Sequence, residues 1–228
     1  MNDISKPPVT YLIFLICVLL LTACASQNPS SPVLNYEKAD KDYLALKQTI
    51  VNRVADSTTF DRIWLTYSLS SFYNPTDDLE PSTKLLTETY ISEGNYAACI
   101  EAAQRLLEVN YTSLTGHFAM AECSRLMGDA RQSDFHTWVL DNLIEAIWRT
   151  GDGRAPGTAF LINSTHDLYA FIQLHQLVAV GQDLVYEQGM PVQKILVQTP
   201  ENMRSSTWYF NATPQFRRSF LDKAELKN

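Results

Sequence analysis

Between residues 36 and 54 the apolar positions Tyr43, Leu46, Ile50 and Val54 recur at three- and four-residue intervals, which places them on one side of a helix. Ser57, Thr58 and Thr59 offer N-caps for a second helix, over 59–72, that carries Trp64, Tyr67 and Leu69. Tyr73-Asn74-Pro75 breaks the pattern. The adjoining Asp77 and Asp78 read as a cap for the next helix rather than as a cation site or an acid–base pair. Helical spacing then holds to Thr150. Beyond it, 159–163 reads as a short strand and 166–178 as a helix with Leu168, Phe171, Ile172 and Leu174 on its apolar side. The runs 183–188, 194–199 and 207–212 read as strands of an antiparallel meander, separated by Gly-Met-Pro and Pro-Glu-Asn turns.

The helical middle repeats itself, with Gly94 and Gly128 standing 34 residues apart. The segment GNYAACIEAAQRLLEVN, residues 94–110, resembles the second half of a tetratricopeptide repeat. Gly94 stands at the inter-helix turn, Tyr96, Cys99, Ala103 and Leu106 at the aromatic and core positions, and Leu86 and Tyr90 where the first helix packs. A second unit, from Leu114, departs from the pattern. His117 replaces the usual aromatic, Ser124 the usual tyrosine, and Tyr111 stands where proline commonly closes the repeat. Such helix pairs cannot bury their apolar faces alone and must stack, so the two earlier helices are expected to cap the stack. The resemblance implies a concave groove lined by Lys84, Glu88, Thr115, Phe118, Glu122 and Arg125, a mixture of charge and aromatic surface suited to a peptide or protein loop. The competing expectation is that two repeats form little groove and the C-terminal part packs into it.

Gly151-Asp152-Gly153, Pro156, Thr158-Ala159-Phe160, Leu184-Val185 and Trp208-Tyr209-Phe210-Asn211, with Tyr73-Asn74-Pro75 upstream, resemble a bacterial family of unknown function common in gut-type anaerobes. The likeness covers residues 36–216, and Ala212 stands where that family often has valine. It implies repeat-like helices followed by an α+β unit, and brings no activity or catalytic residue with it. The loop itself, RTGDGRAPGTAFLINS, runs from helix to strand, the reverse of a phosphate loop, and Asp152 is its one carboxylate, too few for Ca²⁺. It reads as a helix stop: Arg149 at the negative helix end, Gly151 or Gly153 free to take positive φ, and Pro156 preventing resumption.

At the N-terminus Lys6 precedes YLIFLICVLLL, residues 11–21, a run of signal-peptide length and short for a transmembrane span. It leads into Leu21-Thr22-Ala23-Cys24, which resembles the bacterial lipoprotein lipobox. That resemblance implies cleavage after residues 1–23, triple acylation of Cys24 and stable anchoring. Ala25 in place of a retention aspartate points to the outer membrane, facing the periplasm or the surface. The plainer alternative is a secretory signal with an incidental cysteine. Residues 24–35 are small, polar and proline-containing, and read as a tether. With Cys17 removed in the signal, Cys99 and Cys123 remain in an oxidising compartment, where a bridge and two buried thiols fit equally.

The formal charge of −7, with no basic run, disfavours nucleic acid as a partner. His117, His136, His166 and His175 form no compact ligand spacing and read as satisfied histidines, so neither metal nor cofactor is expected. There is no Gly-x-Ser-x-Gly elbow, and Ser164, His166 and Asp167 are neighbours only in sequence, which does not make a triad. The fold expected is α+β, with about six tetratricopeptide-like helices over 36–150 and a small antiparallel-sheet unit with one helix, β-α-β-β-β, over 151–228. The function it points to is a lipid-anchored envelope protein with an interaction or scaffolding role, meeting the membrane through Cys24 and an envelope protein or peptide as partner. The rival is an envelope hydrolase with its site between the helical and α+β parts.

Overall fold

A computed structural model describes residues 35–75 and 83–225; the apolar N-terminal run, Cys24, nearly all of the tether, Asp77 and Asp78 lie outside the described residues. Helix α1 (Tyr36–Val51) starts where the Asn35 side chain accepts the Lys38 N–H at 3.0 Å, and it buries Tyr43, Leu46 and Ile50. It stops short of Val54, which is exposed, because Arg53 turns the backbone left-handed at φ 57°. Helix α2 (Ser57–Tyr67) is capped by Asp56 and not by the hydroxyls expected to cap it. The Asp56 carboxylate accepts the Thr59 N–H at 2.8 Å, and the Asp56 N–H donates back to Thr59 Oγ1 at 3.3 Å, a reciprocal capping box. This helix ends at Tyr67, before the expected Phe72.

Two helical hairpins follow. Helices α3 (Thr83–Ser92) and α4 (Tyr96–Val109) turn at Gly94, φ 69°, and α5 (Leu114–Met127) and α6 (Ala130–Trp148) turn at Gly128, φ 84°. Left-handed backbone at both corners is why the repeat pattern needs glycine there. Helix α5 packs on α4 and α6, and α2 packs on α6, so the α1–α2 pair closes the stack. Cys99 and Cys123 are bridged, joining α4 to α5 within a small core that includes Leu86, Ala103, Leu107 and Ala119.

The chain then tightens through the glycine loop. Gly153 takes φ 64°; its N–H donates to the Thr158 carbonyl at 2.8 Å and its own carbonyl accepts the Tyr209 N–H at 2.9 Å. Asp152 accepts the Arg154 N–H at 3.0 Å and the Thr158 hydroxyl at 2.5 Å, and Arg149 pairs with Asp61 at 2.7 Å. The loop is thus a joint, tying the end of α6 to the sheet and to α2. Of its two candidate glycines, Gly153 is the left-handed one, and a Cβ there would sit 2.1 Å from the Phe160 ring.

After the joint come β1 (Phe160–Leu161), α7 (Thr165–Leu174), β2 (Val178–Glu187), β3 (Met190–Gln198), β4 (Ser205–Asn211) and α8 (Thr213–Glu225). The strands pair in the order β1-β4-β3-β2. The β2–β3 and β3–β4 pairs are antiparallel, as the meander requires, but β1 joins β4 in parallel, so the sheet is mixed. Each long strand begins before the apolar run that signals it, since ladder pairing continues through polar residues. Val178 accordingly opens β2 and does not end a helix. Helix α8 has no counterpart in the β-α-β-β-β expectation. Its Arg217 donates to the Ser68 carbonyl at 3.2 Å, and its Arg218 to the Tyr36 hydroxyl at 2.9 Å.

One main core runs through α1, α2, α6, α7 and the sheet, with Ile50, Trp64, Ile147, Phe160, Phe171 and Phe210 fully buried. From Asn35 onward the chain is one compact unit. Gly153→Ala should lower stability by about 3 kcal/mol, from overlap with Phe160 and a disfavoured φ. Gly157→Ala, where a Cβ meets nothing within 4 Å, is the control. Urea midpoints of the two variants make the comparison, and equal midpoints would contradict the packing argument.

Candidate functional site

Two departures from the repeat pattern, Tyr111 and His117, meet at one place. In the loop between α4 and α5, the Asn110 side chain accepts both the Thr112 N–H (2.9 Å) and its hydroxyl (2.8 Å), and Ser113 caps α5 through the Gly116 N–H at 3.0 Å. The loop so held presents the Tyr111 N–H to the Tyr43 hydroxyl oxygen at 3.0 Å, a bond the usual proline could not make. The Tyr111 carbonyl lies 2.9 Å from His117 Nε2, and His117 Nδ1 lies 2.9 Å from His136 Nδ1. A carbonyl only accepts, so His117 carries its proton on Nε2, and its Nδ1 must accept the proton carried by His136 Nδ1. The chain of tautomers leaves the Nε2 lone pair of His136 without a partner among the described residues.

Burial holds both rings neutral. His117 is fully enclosed and its pKa is lowered to about 3, by desolvation first and the neighbouring His136 second. His136 is lowered to about 4 by desolvation and by the positive charge of Arg53. His136 lines a hollow of about 270 Å³ between α1, α4, α5 and α6, which Lys47, Glu108 and Tyr111 also line. The Lys47 ammonium lies 4.9 Å from the centre of the Tyr111 ring, and burial lowers its pKa despite the opposing charge of Glu108. The Tyr111 hydroxyl is buried with no hydrogen-bond partner among the described residues. Gln132 lines this hollow and also a second one of about 400 Å³, whose wall holds Arg53, Arg131 and Phe135. The Arg53 guanidinium stacks 4.8 Å from the Phe135 ring centre and donates to the Arg131 carbonyl at 3.3 Å.

The groove positions read from the repeat pattern fare unevenly. Thr115 is buried and does not line an open surface, and Phe118 is half-buried against the main core. Both lie toward the end of α5 where α7 packs. Glu122 and Arg125 lie further along α5 and form a two-point ion pair at 2.9 and 2.6 Å, with Arg125 exposed. Lys84 and Glu88 fall on α3, outside the residues whose side chains are described.

Where the helices meet the α+β part, the polar groups are tied to one another. Asp167, fully buried in the first turn of α7, accepts the Ser164 hydroxyl at 2.9 Å and, at 3.4 Å, the N–H of Leu114, the first residue of α5. The Ser164 oxygen in turn accepts the Asp167 N–H at 3.0 Å as the helix cap. His166 has no part in these bonds, so the three neighbours form no triad. The Tyr73 hydroxyl donates to the Asn163 carbonyl, and the Asn163 side chain donates to the Trp64 carbonyl at 2.9 Å. His175 donates from Nδ1 to the Phe171 carbonyl at 2.7 Å and accepts the Trp148 indole N–H at Nε2, 3.1 Å, inside an aromatic cluster with Phe160 and Trp208. Among the described residues no group of three or more His, Cys, Asp or Glu could hold a metal ion, and no helix is long and apolar enough to cross a membrane.

A family model, Domain of unknown function (DUF4919), matches residues 48–217, well over half of the chain, and the chain belongs to that family. No curated protein and no solved structure matches it.

The buried titratable groups make stability depend on pH in opposing directions. Unfolded histidines titrate near 6.5 while His117 and His136 stay neutral to about 3 and 4, so their contribution to stability is lost as pH falls below 6.5. Burial raises Asp167 from 3.8 to about 7, so its contribution is present at low pH and lost as pH rises toward 7. Two histidines outweigh one carboxylate, and stability is expected to fall with pH below 6.5. The fall should steepen in Asp167→Asn by about 1.4 kcal/mol per pH unit, measured by urea midpoints through that range. A variant that tracks the parent would remove Asp167 from the balance.

Proposed function

We infer that this DUF4919 protein is a lipid-anchored component of the bacterial cell envelope, held at the outer membrane through Cys24, that binds an envelope protein or peptide and needs no cofactor. The observation that carries the reading is the Cys99–Cys123 bridge in a chain that also bears Leu21-Thr22-Ala23-Cys24. Disulfides persist in oxidising compartments and are rare in the reducing cytosol, so an independent feature of the fold points the same way as the lipobox-like signal.

An interaction role is favoured over hydrolysis by the state of the junction where a hydrolytic site was anticipated. Ser164 and Asp167 are engaged there in capping α7 and bonding α5, and the aromatic rings of Trp148, Phe160 and Phe171 pack against one another where α6, β1 and α7 meet. Among the described groove residues, Glu122 and Arg125 at the further end of α5 face solvent, and with the half-buried Phe118 they supply the surface for a partner.

Two measurements test the reading. The full-length protein should sediment with membranes and take up radiolabelled palmitate, and Cys24→Ser should lose both; uptake in the variant would exclude Cys24 as the lipid site. Crosslinking in the native host should capture a protein that disappears with the paired change Phe118→Ala and Arg125→Ala while the unfolding free energy from urea melts changes by less than about 1.5 kcal/mol. A loss of stability with the crosslink intact would assign Phe118 and Arg125 to packing alone.

A further inference from the structure

The two hollows that share Gln132 lie apart from the α5 surface just described, and their chemistry is unlike the rest of the chain. In a protein of net charge −7, their walls carry three cations, Lys47, Arg53 and Arg131, none of which has a carboxylate within ion-pair distance among the described residues. The carboxylates present are Glu108, near Lys47 but unpaired with it, and Asp129, which is committed to capping α6 through the Gln132 N–H at 3.1 Å. Arg53 is held in place before any ligand arrives, by its stack on Phe135 and its bond to the Arg131 carbonyl. Such preorganisation lowers the ordering cost of binding an anion. Phe135 and His136 are adjacent, their ring centres 5.0 Å apart, so the stacked guanidinium stands beside the imidazole.

His136 supplies the complementary function. Its Nδ1–H is committed to His117, and that ring's Nε2–H to the Tyr111 carbonyl, so rotation to the other tautomer would break two buried bonds. The free Nε2 at the wall of the hollow is therefore a fixed acceptor, waiting for a donor. An anion held by arginine next to a nitrogen or oxygen donor received by a neutral imidazole is the pattern an α-carboxylate and its neighbouring N–H would satisfy.

We propose that the two hollows, which have Gln132 as a common wall, together bind a carboxylate-terminated amino compound, either a free amino acid or the C-terminus of a peptide. Arg53 and Arg131 take the carboxylate, and Nε2 of His136 accepts the adjacent N–H. Lys47, at the far side of Gln132, favours an acidic side chain on the same residue. Hollows of about 400 and 270 Å³ accommodate one or two residues and not a folded domain, so a longer ligand enters by its end.

The test is calorimetric titration of the full-length protein in detergent with free glutamate, with the tripeptide Ala-Ala-Glu, and with the same tripeptide as its C-terminal amide. Saturable binding of either acid below about 10 mM, weakened about tenfold or more in the amide, is the expected result. Which acid binds more tightly tells the free amino acid from the peptide end. Arg53→Met is expected to weaken binding about tenfold without moving the urea midpoint, and His136→Phe to weaken glutamate binding about tenfold but not that of sulfate, which carries no hydrogen-bond donor. Failure of both acids to bind, equal binding of acid and amide, or full binding by Arg53→Met would overturn the assignment. Because the titration needs neither a membrane nor a protein partner, its failure leaves the envelope reading standing, and the loss of lipidation leaves this one standing.

Discussion

A single buried carboxylate couples the two halves of the protein. Asp167 caps its own helix through Ser164 and accepts the first amide of α5, so the helical stack and the α+β part meet across an ionisable group with no access to solvent. Separating them would strand a carboxylate and a helix N-terminus at once, and a buried acid that loses its partners is costly. Two helix N-terminal dipoles converge on the group, while burial raises its pKa, and desolvation is the larger influence. The bonds of Tyr73 to Asn163, of Asn163 to Trp64, and of the Trp64 indole N–H to the Leu161 carbonyl of β1 extend the same polar seam toward α2. The joint at Gly153 fixes the other side of the junction by backbone contact, and the interdigitated rings of Trp148, Phe160 and Trp208 fill the space between.

The repeat-like helices show what happens when a motif's usual residues are replaced. In a tetratricopeptide pattern the positions of Tyr111 and His117 would hold a proline and an aromatic, and the proline has no backbone N–H to donate. Here each brings polar groups into the interior, and the backbone and imidazole groups are answered, the Tyr111 amide by Tyr43, its carbonyl by His117, and His117 by His136, while the Tyr111 hydroxyl has no partner among the described residues. The answering stops at the wall of a hollow, where His136 has one nitrogen left. Polar networks that end at a cavity place a hydrogen-bonding group of fixed direction in reach of a ligand, which is how an otherwise structural substitution becomes a recognition element.

Much of this was legible in the chain. The corner glycines Gly94 and Gly128, the apolar spacing of Tyr43, Leu46 and Ile50, and the stop after Arg149 follow from backbone sterics and periodicity, which act locally. The hollow was not. His117 and His136 are 19 residues apart on different helices and look like two ordinary core histidines. The one trace they leave is that His117 and Tyr111 break the repeat pattern together, six residues apart. At Thr115 the structure matches the competing expectation, that the C-terminal part packs into the groove: the repeat pattern alone describes a stack with a free inner face, and Thr115 is buried at the end of α5 where α7 packs.

What the sequence by itself determined is the class of fold, the pairing of the central helices, the loop at 149–164 as a joint, and membership of a family of helices followed by a small sheet. These rest on near-neighbour effects, namely helix spacing, capping residues and the freedom of glycine at positive φ. Only the tertiary structure decided that Cys99 meets Cys123, that β1 lies parallel to β4, that Asp167 reaches Leu114, and that His136, bonded to His117, lines a hollow with Lys47 and Glu108. Each of those depends on packing between segments distant in the chain, where a side chain's environment is set by whatever the core brings against it and not by its neighbours in sequence.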